Sequence, residues 1–586
     1  MNLVASTLAI ALLAPALGSS AAPPPEPTPR PLVSSVEVSV TNIDVVVTDS
    51  KGNRVRDLKK EDFVVLEDGK VQDLSNFLFV DDGFPMTSEP REPGEAPPRP
   101  QPGILTPAVS RPQARIAVFI DNLHLSPLNR NAVLSALDEF LRKAVGPNVE
   151  AAIVTYDRSL KARGPFTRDA EVLSRVIQQI KGESSTGFSR LAERNQAYRA
   201  IDRYVSSISG DPVATDSYRS QAEWQMQLFA QHEADMVEGT INALKVTISR
   251  MAGIEGRKVL LVVSEKLPEI PGVDVYEYYA NALRGAGIGT VPEVAQPTTY
   301  ARWDQTQNFR AVAAAANSAF VSLNTFDAAG MDFDPSLSAE AALTTQRVDT
   351  GVAKLSAETM LRLLADETGG VAAIQRNDFP AVLVEMERDW KTYYSLGYPS
   401  QPKKGDKPRS ITVRLKQPGL TVRARHQVVD LSAEQRLQEQ VVSGLFFQND
   451  QNPLEAQIKI GKLVKGEKKA YVLPLTLRVP YAKLTLVPDR GTLKGGLVFT
   501  AAVKGPDGRT TKPQSTRIAI DVPESAAAPG KSTDLVWQTT FAVQPGDQVF
   551  SIAVTDEISR ATSFVQPVFT LASRKSDTKK ADASPK

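Results

Sequence analysis

Short unbroken apolar runs alternate along the middle of the chain with stretches that have helical spacing. Apolar runs at 115–120, 149–156 and 259–263 predict strands buried on both faces, because a half-exposed strand would show polar alternation. Between the first two runs, apolar residues recur at helical spacing from 127 to 145. We therefore predict an α/β domain over 114–430 that is built on a parallel sheet.

The same pattern predicts how this domain closes. Apolar runs at 320–326 and 393–398 indicate further strands, and we expect the second of these to be the last strand of the parallel sheet. An antiparallel pair is predicted to follow, over 411–415 and 420–425.

One insertion interrupts the alternation. Residues 182–236 are polar, charged and helical in composition, and they lead into a helix predicted to end near Ala252. We favour a helical hairpin that packs on the rim of the domain. The alternative is a lid or a partner surface beside the edge of the sheet.

Two β-rich regions flank the α/β domain. Residues 34–83 form a small β module with too few strands for a large core of its own, so we expect it to pack against a neighbour. Residues 431–573 contain about seven or eight short alternating strands separated by turn signals, which predicts an immunoglobulin-like β-sandwich.

The remaining segments are typical of an exported protein. Residues 1–22 combine an uncharged apolar run with small residues and are predicted to be a signal peptide, with an uncleaved anchor as the alternative. We interpret 23–33 as a proline-rich spacer, 84–113 as a proline-rich linker and 574–586 as a disordered tail. The expected location is the periplasm, the cell surface or the medium.

Composition excludes several classes of site. The chain of 586 residues has no cysteine, which rules out disulfides, thiolate metal sites and cysteine nucleophiles. Its formal net charge of +1 provides no general attraction for nucleic acid. There are three histidines, and the phosphate-binding loop, the dinucleotide fingerprint and the nucleophile elbow are all missing from the sequence. We therefore expect no catalytic residues and no enzyme.

Several segments resemble the von Willebrand factor A-related domain of many predicted secreted bacterial proteins, notably acidobacterial ones. The resemblance spans about residues 34–430 and rests on the order and spacing of five pieces: Leu58–Gly69, Ala117–Asp121, Gly256–Ser264, Tyr393–Pro399 and Arg414–Arg425. It implies a doubly wound, mostly parallel sheet with helices on both faces. It implies no established reaction.

Domains of this type often carry a metal-ion-dependent adhesion site. Its pattern is Asp-x-Ser-x-Ser after the first strand, a Thr on a second loop and an Asp after a later strand. Asp121 matches the first Asp, but Leu123 and Leu125 stand at the serine positions. The later Asp position falls on Ser264 or Glu265, and the Thr has no clear match, Thr186 being one candidate. The resemblance thus implies a degraded site.

A variant site is the alternative to a lost one. A divalent cation (Mg²⁺, Mn²⁺ or Zn²⁺) is the candidate cofactor. Four side chains with suitable groups are expected near one edge of the sheet: Asp121, His124, Ser126 and Glu265. Asn122 and Ser264 are the candidate residues for contact with a partner.

Each candidate also has a structural interpretation. Ser126 before Pro127 is typical of a helix N-cap with proline at the first helical position. Asp121 is expected to cap backbone amides of its loop, and His124 to pack between loops. The next residue, Lys266, would neutralise the charge of Glu265.

Together these observations predict an exported binding or scaffold protein. Its α/β domain would recognise a protein or a cell-envelope partner at the carboxyl edge of the sheet. One alternative is a metal-dependent hydrolase that uses Asp121, His124 and Glu265. The other is a structural envelope protein with a vestigial site. No transmembrane span is expected in the mature chain, and the sequence predicts no oligomeric state.

Overall fold

The computed structural model describes residues 39–82, 84–86, 114–184, 187–254, 256–265, 267–290, 292–330, 351–400, 407–429, 431–447, 451–465, 471–489, 491–506, 508–523 and 534–571. These residues fall into two compact units divided between Leu431 and Ser432. The predicted signal peptide, spacer and tail, and almost all of the predicted linker, lie outside the described residues.

The first unit contains fifteen strands and nine α-helices among the described residues. The strands are β1 Ser39–Thr48, β2 Phe63–Glu67, β3 Lys70–Gln72, β4 Asn76–Asp81, β5 Phe84–Met86, β6 Ala114–Asp121, β7 Val149–Tyr156, β8 Leu160–Ala162, β9 Arg257–Ser264, β10 Val321–Asp327, β11 Ala372–Ala373, β12 Tyr393–Ser400, β13 Arg409–Leu415, β14 Thr421–Ala424 and β15 Gln427–Val428. The helices are α1 Pro127–Ala144, α2 Ala170–Gly182, α3 Gly187–Ser207, α4 Pro212–Ala252, α5 Val273–Gly285, α6 Pro297–Tyr300, α7 Thr306–Ser318, α8 Gly351–Thr368 and α9 Phe379–Lys391.

The central layer is a six-stranded sheet in the order β11-β10-β9-β6-β7-β8, and all strands are parallel except β8. The chain starts at β6 in the middle, continues to β7 on one side, and then crosses to β9 on the other. The predicted mostly parallel, doubly wound sheet is confirmed. The carboxyl ends of β6 and β9 form the point at which the winding reverses, which is where open α/β sheets bind ligands.

Helices cover both faces of this sheet. On one face, Ile116, Val118 and Ile120 share a core with residues of α1, α2 and α9. On the other face, α4 contacts β7 and β10, and α7 and α8 contact β10. The unbroken apolar composition of β6 and β9 follows from burial on both sides.

The prediction that 393–398 closes the parallel sheet is wrong. β12 lies in a separate five-stranded sheet in the order β14-β1-β12-β4-β5, where it is antiparallel to both neighbours, β1 and β4. A second sheet, β15-β13-β2-β3, packs on it around an apolar core that includes Val45, Phe63, Tyr394 and Leu396. The short module at the start of the unit thus completes its core with strands from the end of the unit, because its own strands bury too little apolar surface.

The second unit opens with helix α10 Ala433–Gly444, which begins at a capping box formed by Ser432 and Gln435. Its strands are β16 Gln457–Ile460, β17 Val464–Lys465, β18 Tyr471–Pro480, β19 Val487–Asp489, β20 Thr492–Lys504, β21 Gln514–Pro523, β22 Asp534–Val543, β23 Gly546–Asp556, β24 Thr562–Val565 and β25 Val568–Leu571. They form two antiparallel sheets, one around β18 and one around β20 and β23, with one shared apolar core. The immunoglobulin-like assignment stays a prediction.

Within the described residues, none of the helices combines the length and the apolarity that a membrane crossing requires.

Candidate functional site

The candidate site begins where two neighbouring parallel strands end. Ile120 is paired with Val263, so the residues that follow, Asp121 and Ser264, lie side by side at the carboxyl edge. The Ser264 hydroxyl donates a 2.9 Å hydrogen bond to Asp121 Oδ2. Asp121 and Ser264 therefore share one edge of the sheet.

The loop after β6 folds around the Asp121 carboxylate. Asp121 Oδ1 accepts hydrogen bonds from the backbone N–H groups of Leu123, at 3.2 Å, and His124, at 3.4 Å. Leu123 and Leu125 are both buried, and Leu125 belongs to the core of the sheet. At the two serine positions of the adhesion-site pattern, the chain therefore supplies apolar packing and no ligand oxygen.

The His124 side chain points back to the same carboxylate. His124 Nδ1 lies 2.7 Å from Asp121 Oδ2. Because Asp121 Oδ2 also accepts from the Thr240 and Ser264 hydroxyls, this oxygen acts as an acceptor and Nδ1 donates. The other ring nitrogen, Nε2, is buried and has no hydrogen-bond partner among the residues that the structure describes.

Helix α4 supplies a residue that the sequence analysis missed. Thr240 Oγ1 lies 3.3 Å from Asp121 Oδ2 and 3.4 Å from His124 Nδ1. The earlier candidate, Thr186, lies outside the described residues. A signal was present, since Thr240 is a polar residue on the apolar face of a long helix, beside Val237 and Ile241.

Tyr156 borders the cluster from the end of β7. Its ring stacks near that of Phe119, with 6.4 Å between the centroids. Burial, followed by the negative charge of Asp121, raises the pKa of the Tyr156 phenol. Tyr156 thus borders the site as an uncharged phenol at physiological pH.

The other predicted residues form a separate set of contacts. The backbone N–H of Ser126 donates to Glu265 Oε2 at 3.0 Å, and the Ser126 side chain makes no cap hydrogen bond, although Pro127 does open α1. Asn122 Oδ1 accepts from Arg130 Nη1 at 3.4 Å, and Arg130 is itself buried. These groups hold the loop against α1.

The whole cluster is enclosed by the protein. Asp121, Thr240 and Ser264 are 0% exposed, and His124 is 2% exposed. Asn122 and Ser264, the two residues predicted to contact a partner, are buried and present no surface to one in this conformation. The edge is closed because α4 lies across it at Thr240.

The residues present do not fit a divalent cation in this arrangement. Asp121 Oδ1 accepts two hydrogen bonds and Oδ2 accepts three, from His124, Thr240 and Ser264, whereas a carboxylate offers about four lone-pair positions. No group of three or more His, Asp or Glu side chains with metal-binding geometry occurs among the described residues. The predicted set of Asp121, His124, Ser126 and Glu265 therefore does not converge on one point.

Comparison with known proteins identifies structural likenesses at low sequence identity. No family model and no curated protein matches the chain. One similar structure is a von Willebrand factor type A protein from Catenulispora acidiphila, with 11% identity over 80% of this chain and 68% of that chain and a TM-score of 0.20. Another is the conserved hypothetical protein BatB from Bacteroides thetaiotaomicron, with 10% identity over 47% of this chain and 98% of that chain and a TM-score of 0.20.

A third likeness is to proximal thread matrix protein 1 from the mussel byssus, solved with a zinc-occupied adhesion-site motif. The identity is 12% over 44% of this chain and 48% of that chain, with a TM-score of 0.16. With scores this low, the three likenesses carry no argument. The fold assignment rests on the strand order described above.

Proposed function

We propose that this protein is an exported binding or scaffold protein whose α/β domain binds another protein through a helical cap. The cap consists of α3, residues 212–230 of α4, and α5, which share an apolar core of their own. One observation carries the proposal. Trp224 and Leu228, one turn apart on α4, are 58% and 49% exposed. An exposed Trp beside a second large apolar side chain is typical of a protein contact surface.

Because Asp121 is buried, the outside of the cap is a better candidate for the binding surface than the edge of the sheet. The sequence predicts recognition at the carboxyl edge, yet α4 covers that edge and Asp121 already has its hydrogen-bond partners. A partner that needed the carboxylate would have to displace α4. A partner that binds Trp224 and Leu228 needs no such movement.

The hydrolase alternative has no support from this geometry. It requires Asp121, His124 and Glu265 around one metal ion, and these groups do not converge. The structural alternative has support, because a fully enclosed polar cluster is what a vestigial site would look like. In that case the protein would have no dedicated partner on the cap.

A pull-down from envelope extract separates these functions. The bait variants are Trp224→Ser/Leu228→Ser and the matched control Val246→Ser, which changes a 42% exposed apolar residue elsewhere on the same helix. We expect the double variant to lose the captured protein, the control to keep it, and a chelator to have no effect. Equal capture by all three baits would contradict binding through the cap and favour the structural alternative.

Export is a separate part of the proposal and rests on the signal-like residues 1–22. Cell fractionation tests it. Recovery of the full-length chain from the cytoplasm, with its first residues intact, would refute it.

A further inference from the structure

We propose that the imidazole of His124 takes the place of a bound cation at the carboxyl edge, so that the chain itself completes the polar cluster without a metal. Three groups meet at Asp121 Oδ2 at the end of β6: the His124 ring from the loop that follows, the Thr240 hydroxyl from α4 and the Ser264 hydroxyl from β9. A carboxylate with two hydroxyls is the type of oxygen set that a hard divalent cation binds.

The ring nitrogen lies close to two of the three oxygens. His124 Nδ1 is 2.7 Å from the Asp121 carboxylate and 3.4 Å from the Thr240 hydroxyl. The Ser264 hydroxyl reaches the same carboxylate oxygen, at 2.9 Å. An ion that bound both Asp121 Oδ2 and the Thr240 hydroxyl would compete with the ring nitrogen, which lies within 3.4 Å of both oxygens.

The neighbouring residues of the loop are consistent with this replacement of a cation by the His124 ring. Leu123 and Leu125 are buried where the adhesion-site pattern has serine, and their side chains pack in the interior. Backbone N–H groups of the loop use the other carboxylate oxygen, Asp121 Oδ1. His124 is thus a positioning residue that holds the loop and α4 around Asp121.

The Nε2 atom of His124 has no partner in the described part of the chain, which makes the prediction more specific. Of the two ring nitrogens, Nδ1 alone makes hydrogen bonds to described residues. An asparagine amide, whose nitrogen takes nearly the same position as Nδ1, can therefore replace the ring. We expect the His124→Asn variant to melt at close to the wild-type temperature and the His124→Leu variant to melt at a clearly lower temperature. Added Mn²⁺ should change neither result.

The decisive experiment restores an ion site in the full chain. The triple variant Leu123→Ser/His124→Gly/Leu125→Ser recreates the Asp-x-Ser-x-Ser pattern beside Thr240 and Ser264. We expect the wild-type protein to retain no Mn²⁺ after dialysis and to show no Mn²⁺-dependent change in melting temperature. The triple variant should retain close to one ion per chain and melt at a higher temperature with Mn²⁺, and adding Asp121→Asn should abolish both effects.

Two results would overturn the proposal. One is a wild-type protein that retains Mn²⁺, Mg²⁺ or Zn²⁺ near stoichiometrically and loses it on Asp121→Asn. The other is a folded triple variant that takes up none of these ions. If the triple variant does not fold, the wild-type metal content and the comparison of His124→Asn with His124→Leu decide. Partner capture by the cap is not a readout here, so this proposal and the proposed function stand or fall separately.

Discussion

Gly239 in α4 lies against the hydroxyl of Tyr156 in β7, so closely that a Cβ atom at position 239 would overlap that oxygen. The contact sets how near α4 comes to the edge of the sheet. Because Thr240 is the next residue, the same contact controls whether its hydroxyl reaches Asp121. The lack of a side chain at Gly239 and the phenol of Tyr156 therefore determine how tightly the polar cluster is closed.

Gly239→Ala is expected to destabilise the first unit, although alanine is normally better than glycine in a helix by roughly 0.5–1 kcal/mol. The added methyl group must push α4 or Tyr156 aside. Tyr156→Phe should restore much of the loss, because the oxygen is the atom in conflict and the next ring carbon lies at an ordinary 3.5 Å. Urea unfolding of the two single variants and the double variant measures the coupling.

The control for this cycle is Gly285→Ala, at the end of α5, where a Cβ would meet nothing within 4 Å. This change should leave stability unchanged or raise it slightly. Additive effects of Gly239→Ala and Tyr156→Phe would show that the close contact does not limit the approach of α4.

Asp389 in α9 joins the α/β layer to the antiparallel sheet. Its carboxylate accepts from Arg423 of β14 at 2.6 and 2.8 Å and also pairs with Arg54 in the loop after β1. Asp389 and Arg54 are buried. Asp389→Ala should cost about 3–5 kcal/mol of unfolding free energy, because it leaves the buried guanidinium of Arg54 and the partly buried one of Arg423 without their carboxylate.

Asp378→Ala is the matched control, since Asp378 also forms a two-bond pair with an arginine, Arg376, but is 55% exposed. An exposed pair of this kind contributes about 0–1 kcal/mol. Denaturant titration of both variants gives the comparison. Similar losses for the two would mean that Asp389 does not act as a buried link between the layers.

Tyr394 in β12 is expected to lower the free energy of unfolding as the pH becomes alkaline. Its buried hydroxyl donates to the Val55 carbonyl at 3.0 Å and accepts from the Leu58 N–H at 3.2 Å. Burial raises the pKa of Tyr394 to about 12. In the unfolded chain the tyrosine pKa is about 10, so this contribution to stability is complete below that pH and is lost as the pH rises towards 12.

Tyr394→Phe isolates this effect from the other tyrosines. At neutral pH the variant should be less stable by about 1 kcal/mol, the typical contribution of a hydrogen bond. Between about pH 10 and pH 12 the difference from the wild-type protein should shrink, because the variant has no phenol to ionise at this position. Urea midpoints across that range measure it, and parallel profiles for the two proteins would contradict the prediction.

The sequence by itself determined the features that depend on neighbours along the chain. Unbroken apolar runs predict β6, β7 and β9, because a strand covered on both faces must be apolar throughout. Helical spacing and the Ser126–Pro127 pair predict a first helix that begins where α1 begins. The position of Asp121 at the end of a central strand follows from the same local pattern.

Tertiary packing alone decided how distant segments meet. Thr240 reaches Asp121 across 119 positions of sequence, and β12 pairs with β1 at the opposite end of its unit and not with the parallel sheet. Strand pairing depends on which edges and apolar faces remain uncovered in the assembled fold, and a strand's own residues do not record this. For the same physical reason, the sequence places Asp121 at an edge, whereas only the packing of α4 shows that the edge is closed.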